Sequence, residues 1–291
     1  MRKFFITFII TIFYGFSYAW DVNKDSISDS YGNKIPKKSY SKIIVIDPGS
    51  VEILFEIGAE KSIVAIGKTG QSKIYPVEKT EKLPSVGNMT TPNFEKILQY
   101  KPDLVLVNSM MARSMENFNR LGIPFLVSDT ENLKDIIQSI RILGILSAQE
   151  AESEALAKQC EEKLKIIQKK IPKHSSVKGA ILYAVSPMMA FGKDSLPGDI
   201  LRHLGVINIA ENVPGNRPIL SPEYILKINP DFLAGAMSLD SVEDIINSSN
   251  VVPKTKAGKH KKIFILDSSM ILRDSYRIFD EMEKLQQKIY Q

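Results

Sequence analysis

The chain contains one cysteine, Cys160, in 291 residues. A single cysteine cannot form an intramolecular disulfide, a cysteine-ligated zinc site or an iron–sulfur cluster. Stability must therefore come from an apolar core. The length is sufficient for one large domain or for two lobes of about 120 residues each.

Histidine is also scarce, with only His174, His203 and His260. No two of them have the spacing of metal ligands, so we do not expect the protein to build its own site for a bare metal ion. His203 is the one candidate for a single metal ligand. If the chain carries a metal, we expect the bound molecule to bring its own chelator and the protein to have no intrinsic cofactor.

Sequence motifs of nucleotide-dependent and hydrolytic enzymes are missing. No G-x-G-x-x-G follows the first predicted strand, and neither a phosphate-binding P-loop nor a G-x-S-x-G nucleophile motif occurs. The formal net charge is +5, but basic and acidic residues are interspersed rather than gathered into a basic arm. The sequence therefore indicates a protein that is not an enzyme and does not bind nucleic acid.

Only one long hydrophobic run is present, and it lies at the N-terminus. Residues 1–3 are basic, residues 4–16 are apolar, and residues 17–19 read S-Y-A, which is typical of a cleavage site. We predict a signal peptide over residues 1–19, with an uncleaved membrane anchor as the alternative, although a bilayer needs about 20 apolar residues. Because no cysteine directly follows this segment, we expect a Sec-exported periplasmic protein that is not a lipoprotein.

Short apolar runs alternate with helical patterns through the rest of the chain. Residues 20–41 are polar and read as an N-terminal arm with at most a short hairpin. Apolar runs at 42–47, 63–67, 104–107 and 124–127 predict strands, with Ser50 capping the first helix. Comparable runs follow at 178–185, 231–235 and 262–267. This alternation predicts parallel, doubly wound α/β sheets.

Between the two sets of strands lies a long helical pattern. The sequence S-A-Q-E at residues 147–150 reads as a capping box, and Pro172 stops the helix. About 24 residues would form a rod of roughly 36 Å. We therefore predict two doubly wound α/β lobes, at 42–146 and 173–291, joined by a single long rigid helix over 147–172.

One segment occurs in both predicted lobes. F-E-K-I-L-Q-Y-K-P-D at residues 94–103 aligns with P-E-Y-I-L-K-I-N-P-D at residues 222–231, so that Glu95 matches Glu223. A chance recurrence of helix, Pro-Asp turn and strand is the alternative. We interpret the match as a common plan for the two lobes.

Four segments together resemble the class III periplasmic substrate-binding proteins. They are residues 45–67, 83–107, 191–212 and 217–235, and the resemblance extends from about Lys42 to the C-terminus. It implies a monomer with a ligand cleft between two lobes, which delivers a small metal complex to an ABC importer made of a permease dimer and a cytoplasmic ATPase. It also implies that Glu95 and Glu223 dock on the permease; solvated helix-start glutamates are the alternative.

Candidate ligand-binding residues lie near predicted strand ends, because open α/β sheets bind ligands at the carboxyl ends of their strands. Arginines suit anionic chelator oxygens, although each can instead pair with a nearby acid, such as Arg273 with Asp267 or Asp274. Methionines and aromatic residues suit a flat apolar face, although they can also be core residues. The candidates are Arg113, Arg217, Arg273, Tyr75, Met89, Met111, Met188 and Met189.

The ligand itself stays open at this point. A ferric siderophore suits the arginines, haem or a corrinoid suits the methionines and Tyr75, and a nickel or cobalt chelate suits a protein without its own metal ligands. We rank the iron(III)-siderophore complex first. Other classes of function are an exported sensor module, a binding protein for free zinc or manganese, and an α/β enzyme.

Overall fold

The computed structural model describes residues 19–70, 72–215 and 217–291. The predicted signal peptide therefore falls almost entirely on residues outside the described part. Within the described part, no helix combines the length and the hydropathy needed to cross a bilayer.

The N-terminal arm is more ordered than the sequence indicates. It forms a three-stranded antiparallel sheet of β1 (Trp20–Val22), β2 (Ser26–Asp29) and β3 (Lys34–Pro36). The Trp20 side chain is fully buried, and its indole N–H donates to the Val127 carbonyl at 2.6 Å. The Asp29 carboxylate accepts from the Val127 N–H at 2.8 Å. Burial of the indole and these two bonds fix the arm to a later strand, so the expectation of at most a hairpin is wrong.

The first half of the chain forms a five-stranded parallel sheet. Its strands are β4 (Ile43–Val45), β5 (Ile63–Lys68), β6 (Ser85–Asn88), β7 (Leu104–Asn108) and β8 (Phe125–Ser128), in the order β6-β5-β4-β7-β8. Its helices are α1 (Pro48–Glu56), α2 (Val77–Thr80), α3 (Phe94–Tyr100), α4 (Met115–Arg120) and α5 (Leu133–Ser147). The strand order reverses between β4 and β7, which is where doubly wound sheets bind ligands.

The start of helix α1 differs in detail from the prediction. Asp47, not Ser50, is the N-cap residue, and its carboxylate accepts from the Ser50 N–H at 2.7 Å. Pro48 follows as the first helical residue, where its missing N–H costs nothing. An aspartate therefore stands at the carboxyl end of β4, next to the switch point.

One helix, α6 (Glu150–Lys169), follows α5 and leads into the second sheet. The predicted capping box is not formed, because Ser147 is the last residue of α5 and its hydroxyl donates to the Leu143 carbonyl at 2.7 Å. Ala148 then adopts a left-handed φ of 56°. Gly144 lies so close to Ser153 that a side chain there would overlap it. This tight corner leaves α6 with 20 residues, or roughly 30 Å, rather than the predicted 36 Å.

The second half of the chain forms a sheet in the order β10-β9-β12-β13, with β11 also on β9. The strands are β9 (Lys178–Val185), β10 (Met188–Ala190), β11 (Ile207–Asn208), β12 (Phe232–Gly235) and β13 (Ile263–Ile265). Strands β9, β12 and β13 are parallel, and β10 is antiparallel. The helices are α7 (Leu196–His203), α8 (Pro222–Ile228), α9 (Val242–Asn247), α10 (Lys256–Lys259), α11 (Ser268–Ile271) and α12 (Ile278–Tyr290).

The duplicated segment has the same structure in both halves. The Asp103 carboxylate accepts from the Lys42 N–H at 2.9 Å, and the Asp231 carboxylate accepts from the Lys178 N–H at 2.8 Å. In return, the N–H groups of Asp103 and Asp231 donate to the carbonyls of Lys42 and Lys178. Each aspartate thus ties the start of its own strand to the start of the first strand of its sheet. The sequence match therefore reflects a shared local structure.

Candidate ligand-binding cleft

A cleft of about 730 Å³ lies between the two halves of the protein. The first half contributes Asp47, Pro48, Thr69, Gly70, Ser72, Asn88, Met89, Thr90, Asn108, Ser109, Met110, Ser128 and Thr130. The second half contributes Leu196, Met237, Ser268, Ser269, Leu272, Arg273 and Asp274. Most of these residues follow the carboxyl ends of β4 to β8, β12 and β13, where parallel sheets present ligand-binding loops. The volume of the cleft is in the range found for small-molecule binding sites.

Residues 272–277, here called the strap, cross from the second half to the first at the floor of the cleft. Arg273 is its centre: the guanidinium lies 2.5 Å from the Glu52 carboxylate, which is fully buried. It also donates to the Lys73 carbonyl at 2.9 Å and to the Ser72 hydroxyl at 2.8 Å. Arg273 therefore lines the cleft, as its strand-end position predicts, but its charge is held by an acid of α1.

Two further strap residues bind the same helix. Arg277 lies 3.3 Å from Glu52, and its guanidinium stacks 4.5 Å from the centroid of the Tyr75 ring. The Tyr276 hydroxyl donates to Glu56 at 2.7 Å, and burial together with this bond raises its pKa far above the usual value for tyrosine. These contacts fix the second half of the protein against α1.

Asp274, also in the strap, lies against the N-terminus of α1. It accepts from the Ser128 hydroxyl at 2.9 Å and from the Thr130 hydroxyl at 3.3 Å. Its side chain and backbone lie against Gly49, where a Cβ atom would overlap Asp274. Burial raises the pKa of Asp274, and burial followed by the negative charge of Asp274 raises the pKa of Asp47 to about 7. The cleft lining thus includes one carboxyl group from each half, a buried one at Asp47 and a half-buried one at Asp274, close enough for the charge of Asp274 to act on Asp47.

Methionine side chains form part of the cleft wall. Met89 is half-buried, whereas Met110 and Met237 are 59% and 55% exposed. Met237 also has a left-handed φ of 62°, which is unusual for a residue with a long side chain, and its N–H donates to the Ser268 hydroxyl at 2.7 Å. Met110 and Met237 follow the ends of β7 and β12, which is where the strand-end rule places cleft residues.

Several predicted ligand residues lie elsewhere. Met111 is fully buried in the core beside β7, because the 3₁₀ turn over Ser109–Ser114 directs Met110 outward and Met111 inward. Met188 is buried in the core of the second half. These two residues do not line the cleft, contrary to expectation.

The remaining candidates form contacts outside the cleft lining. The Met189 sulfur accepts from the Tyr183 hydroxyl at 2.9 Å, and Arg217 lies 5.2 Å from the centroid of the same tyrosine ring. Tyr75 packs under Arg277 and does not line the cleft. The side chain of Arg113 lies outside the described part of the protein, so its predicted role stays a prediction.

His203 lies away from the cleft. Its Nδ1 is 2.8 Å from the Gln168 amide of α6, and its Nε2 is 3.6 Å from the Asp199 carboxylate. Burial lowers its pKa. Both ring nitrogens therefore face protein partners, and His203 is not placed to bind a metal in the cleft. The described residues contain no group of three or more His, Cys, Asp or Glu side chains that could hold a metal ion.

Glu95 and Glu223 occupy equivalent exposed positions. Each is the second residue of a seven-residue helix, α3 or α8, that follows a side-chain N-cap. Three residues later, Leu98 and Leu226 are 44% and 48% exposed. Each half of the protein thus presents a carboxylate and an apolar side chain on neighbouring positions of a helix surface.

Comparison with protein families gives a match to the periplasmic binding protein family over residues 43–270. Among curated sequences, the uncharacterized ABC transporter substrate-binding lipoprotein YvrC of Bacillus subtilis is 28% identical, covering 87% of this chain and 81% of that protein. The petrobactin-binding protein YclQ of the same species is 24% identical over 86% and 83%. A vitamin B12-binding protein of Pectobacterium atrosepticum is 26% identical over 65% and 69%.

Solved structures with the same fold include a periplasmic solute-binding protein from Staphylococcus epidermidis. It superimposes with a TM-score of 0.76 at 23% identity, covering 87% of this chain and all of that one. The haem-binding protein RhuT of Roseiflexus gives a TM-score of 0.74 at 22% identity over 86% and 98%. The predicted fold, α/β with two lobes, is therefore confirmed.

The relatives correct the predicted location. The sequence predicts an unanchored periplasmic protein that is not a lipoprotein. YvrC, which is 28% identical to this chain, is a lipoprotein. A membrane anchor therefore occurs among proteins this similar, and the expectation of an unanchored periplasmic protein is wrong. The coarser expectation stands, since proteins of this family act on the outer side of the cytoplasmic membrane.

Proposed function

Because the chain belongs to the periplasmic binding protein family, whose members here are substrate-binding components of ABC transporters, we propose that it binds an iron(III)-siderophore-type complex in the cleft. The observation that carries the proposal is the cleft of about 730 Å³ lined by both halves of the protein. A ligand held there contacts both sheets at once. The relatives are transport components, and the chain is a binding protein rather than an enzyme.

The two lobes of this proposal are residues 42–146 and 173–291. They are supported by the two separate sheets, with α6 as the helix that leads from one half to the other. Helix α12 of the second half also packs on α6, where the Gln286 amide donates to the Ile167 carbonyl at 2.7 Å. This packing supports α6 as a stiff connection.

The composition of the lining supports a ligand whose metal is already fully coordinated. The lining of the cleft consists mainly of hydroxyl and amide side chains, with methionines at the wall. Hydroxyls and amides can bond the periphery of a chelator, and thioethers can pack on its apolar surface. A corrinoid shares these features, since it carries peripheral amides around a coordinated metal, and is the second candidate. A vitamin B12-binding protein among the relatives supports it.

Partner docking follows from the same assignment. Transporter substrate-binding proteins act with a permease and an ATPase, and we assign Glu95 and Glu223 as the permease-docking residues. Leu98 and Leu226 extend each glutamate into a small mixed patch. Two carboxylates on separate lobes fix both the orientation and the lobe spacing on a basic partner surface.

The first prediction tests the cleft as the chelate site. Met110→Ala and Met237→Gly should each weaken binding of a neutral ferric trishydroxamate about fivefold, since each removes roughly 1 kcal/mol of apolar contact. Glycine at position 237 also relieves the left-handed backbone, so a loss of affinity there does not come from misfolding. Isothermal titration calorimetry measures the effect.

Ile166→Ala is the matched control, because Ile166 is 47% exposed on α6 and outside the cleft lining. Its affinity should equal that of the parent protein. If the methionine variants also bind like the parent, the ligand does not contact this wall. If neither a ferric siderophore nor a corrinoid binds the parent protein, the proposed function is wrong.

A further inference from the structure

The charge of the cleft lining comes from a small set of buried and half-buried residues. Among the described residues of the lining, charged side chains belong to Asp47, Arg273 and Asp274. The Arg273 guanidinium is paired with Glu52 at 2.5 Å, and Arg277 reaches the same carboxylate at 3.3 Å. The positive charge of Arg273 is therefore balanced before any ligand arrives.

The two aspartates have mainly neutral partners. Asp47 accepts from the Ser50 N–H, and Asp274 accepts from the Ser128 and Thr130 hydroxyls. Such bonds stabilise a carboxylate without cancelling its charge. When Asp47, Glu52 and Asp274 are all ionised, these three carboxylates exceed the two guanidinium groups by one negative charge. This excess negative charge lies on Asp47 and Asp274, which line the cleft.

We infer that the cleft binds metal complexes of zero or positive net charge and disfavours polyanionic ones, with Asp47 and Asp274 as the side chains that set this preference. The inference rests on the proposed function and narrows its ligand class. It also reverses the expectation that cleft arginines recognise anionic chelator oxygens, because Arg273 is already engaged by an acid.

The size of the effect follows from Coulomb's law. Two unit charges about 10 Å apart interact by roughly 1.7 kcal/mol at an effective dielectric constant of about 20. That energy corresponds to a change in affinity on the order of tenfold for each unit of ligand charge. A trianionic complex therefore carries a much larger penalty than a neutral complex of the same size.

The preference should depend on pH. Burial, and then the charge of Asp274, raise the pKa of Asp47 to about 7, while Arg273 and the bonds from Ser50 act in the opposite direction. A bound cation favours the ionised carboxylate and so releases a proton. The affinity for a cationic complex therefore rises as the pH increases through about 7, and the affinity for an anionic complex falls.

The experiment compares three ferric complexes: a neutral trishydroxamate, a trishydroxamate that bears one free ammonium group, and a polyanionic triscatecholate. We expect the parent protein to bind the first two at least about tenfold more tightly than the third. Asp47→Asn should reduce the preference for the ammonium-bearing complex by on the order of tenfold and flatten its pH dependence. Asparagine preserves the N-cap of α1, so the helix is retained.

Two further variants complete the design. Asp274→Asn should shift the preference in the same direction as Asp47→Asn, which separates an effect of charge from a folding defect at one site. Glu152→Gln is the control for removal of a carboxylate charge, because Glu152 is exposed on α6 and outside the cleft lining, and it should leave the ratio of affinities unchanged.

Tighter binding of the triscatecholate, or ratios that neither aspartate variant changes, would overturn the inference and leave the proposed function intact. If the parent protein binds the triscatecholate tightly and Arg113→Gln loses that binding, the inference is also overturned, because Arg113 then recognises the anionic complex. Failure of all three complexes to bind would overturn the inference together with the assignment of ferric siderophores as ligands.

Discussion

Replacement of Arg273 by methionine should lower the free energy of unfolding by about 3–5 kcal/mol. The variant leaves the carboxylate of Glu52 without its main partner at a position with no solvent exposure. The second carboxylate oxygen of Glu52, Oε2, has no hydrogen-bond partner, and the partners that remain on Oε1 are longer contacts, with Arg277 at 3.3 Å and the Tyr75 N–H at 3.1 Å. Denaturant unfolding followed by circular dichroism measures the loss.

Arg277→Met provides the control for this prediction. Arg277 contacts the same carboxylate, but at 3.3 Å and with 22% of its side chain exposed. Its loss leaves Glu52 paired with Arg273 and removes a cation–π contact with Tyr75, which is worth about 1 kcal/mol. Equal losses of stability in the two variants would show that Arg273 is not the main partner of Glu52.

A double variant separates the pair from its surroundings. Glu52→Gln alone should also be strongly destabilising, because it leaves Arg273 buried without a negative partner. Adding Arg273→Met to Glu52→Gln should recover part of the loss, since no buried charge then stays unpaired. Simple addition of the two losses would indicate that the residues act independently.

The strap shows why sequence reasoning reached the correct place but not the correct contacts. Arg273 follows β13, and the strand-end rule placed it at the cleft. Its partner Glu52 is 221 residues earlier in the chain, within a helix whose apolar pattern gives no sign of a buried ion pair. Local patterns carry no information about a pairing of this range, so local acids were the only partners that could be considered.

Strand prediction succeeded where the buried residues are apolar and failed where most of them are polar. β7 consists of five buried residues, and the first four, at 104–107, appear in the sequence as an uninterrupted apolar run. β2 reads S-I-S-D, in which only Ile27 is apolar, and is stabilised by contacts with residues about 100 positions later. Short polar strands of this kind depend on tertiary contacts that a local window does not contain.

The corner between α5 and α6 differs from the prediction for a related reason. S-A-Q-E at residues 147–150 matches the pattern of a helix start, and a helix does start at Glu150. The same four residues, however, also end α5, since Ala148 takes a left-handed conformation. The close packing of Gly144 in α5 on Ser153 in α6 favours a break between two helices over one continuous helix. This contact exists only in the folded helix pair and leaves no local pattern in the sequence.

Reversal of charge at both Glu95 and Glu223 should abolish transport of the bound complex. If each glutamate meets a basic residue of the permease, each lysine replaces an attraction by a repulsion, which costs about 2–5 kcal/mol per site. Uptake should therefore fall at least about thirtyfold for either single variant and below detection for the double variant. Uptake into proteoliposomes that contain the cognate permease and ATPase measures the effect.

Ligand binding should be unaffected by the same changes, because neither glutamate lines the cleft. Glu116→Lys is the control variant: Glu116 is also an exposed glutamate in the first turn of a helix, α4, but it has no counterpart in the duplicated segment. It should support normal uptake. Full transport by the Glu95→Lys/Glu223→Lys protein would show that these carboxylates are merely solvated, and equal loss in the Glu116 variant would show a general effect of surface charge. The discriminating result is a loss confined to the two positions that the chain repeats, since only paired sites, one on each lobe, can report both orientation and lobe spacing to a partner.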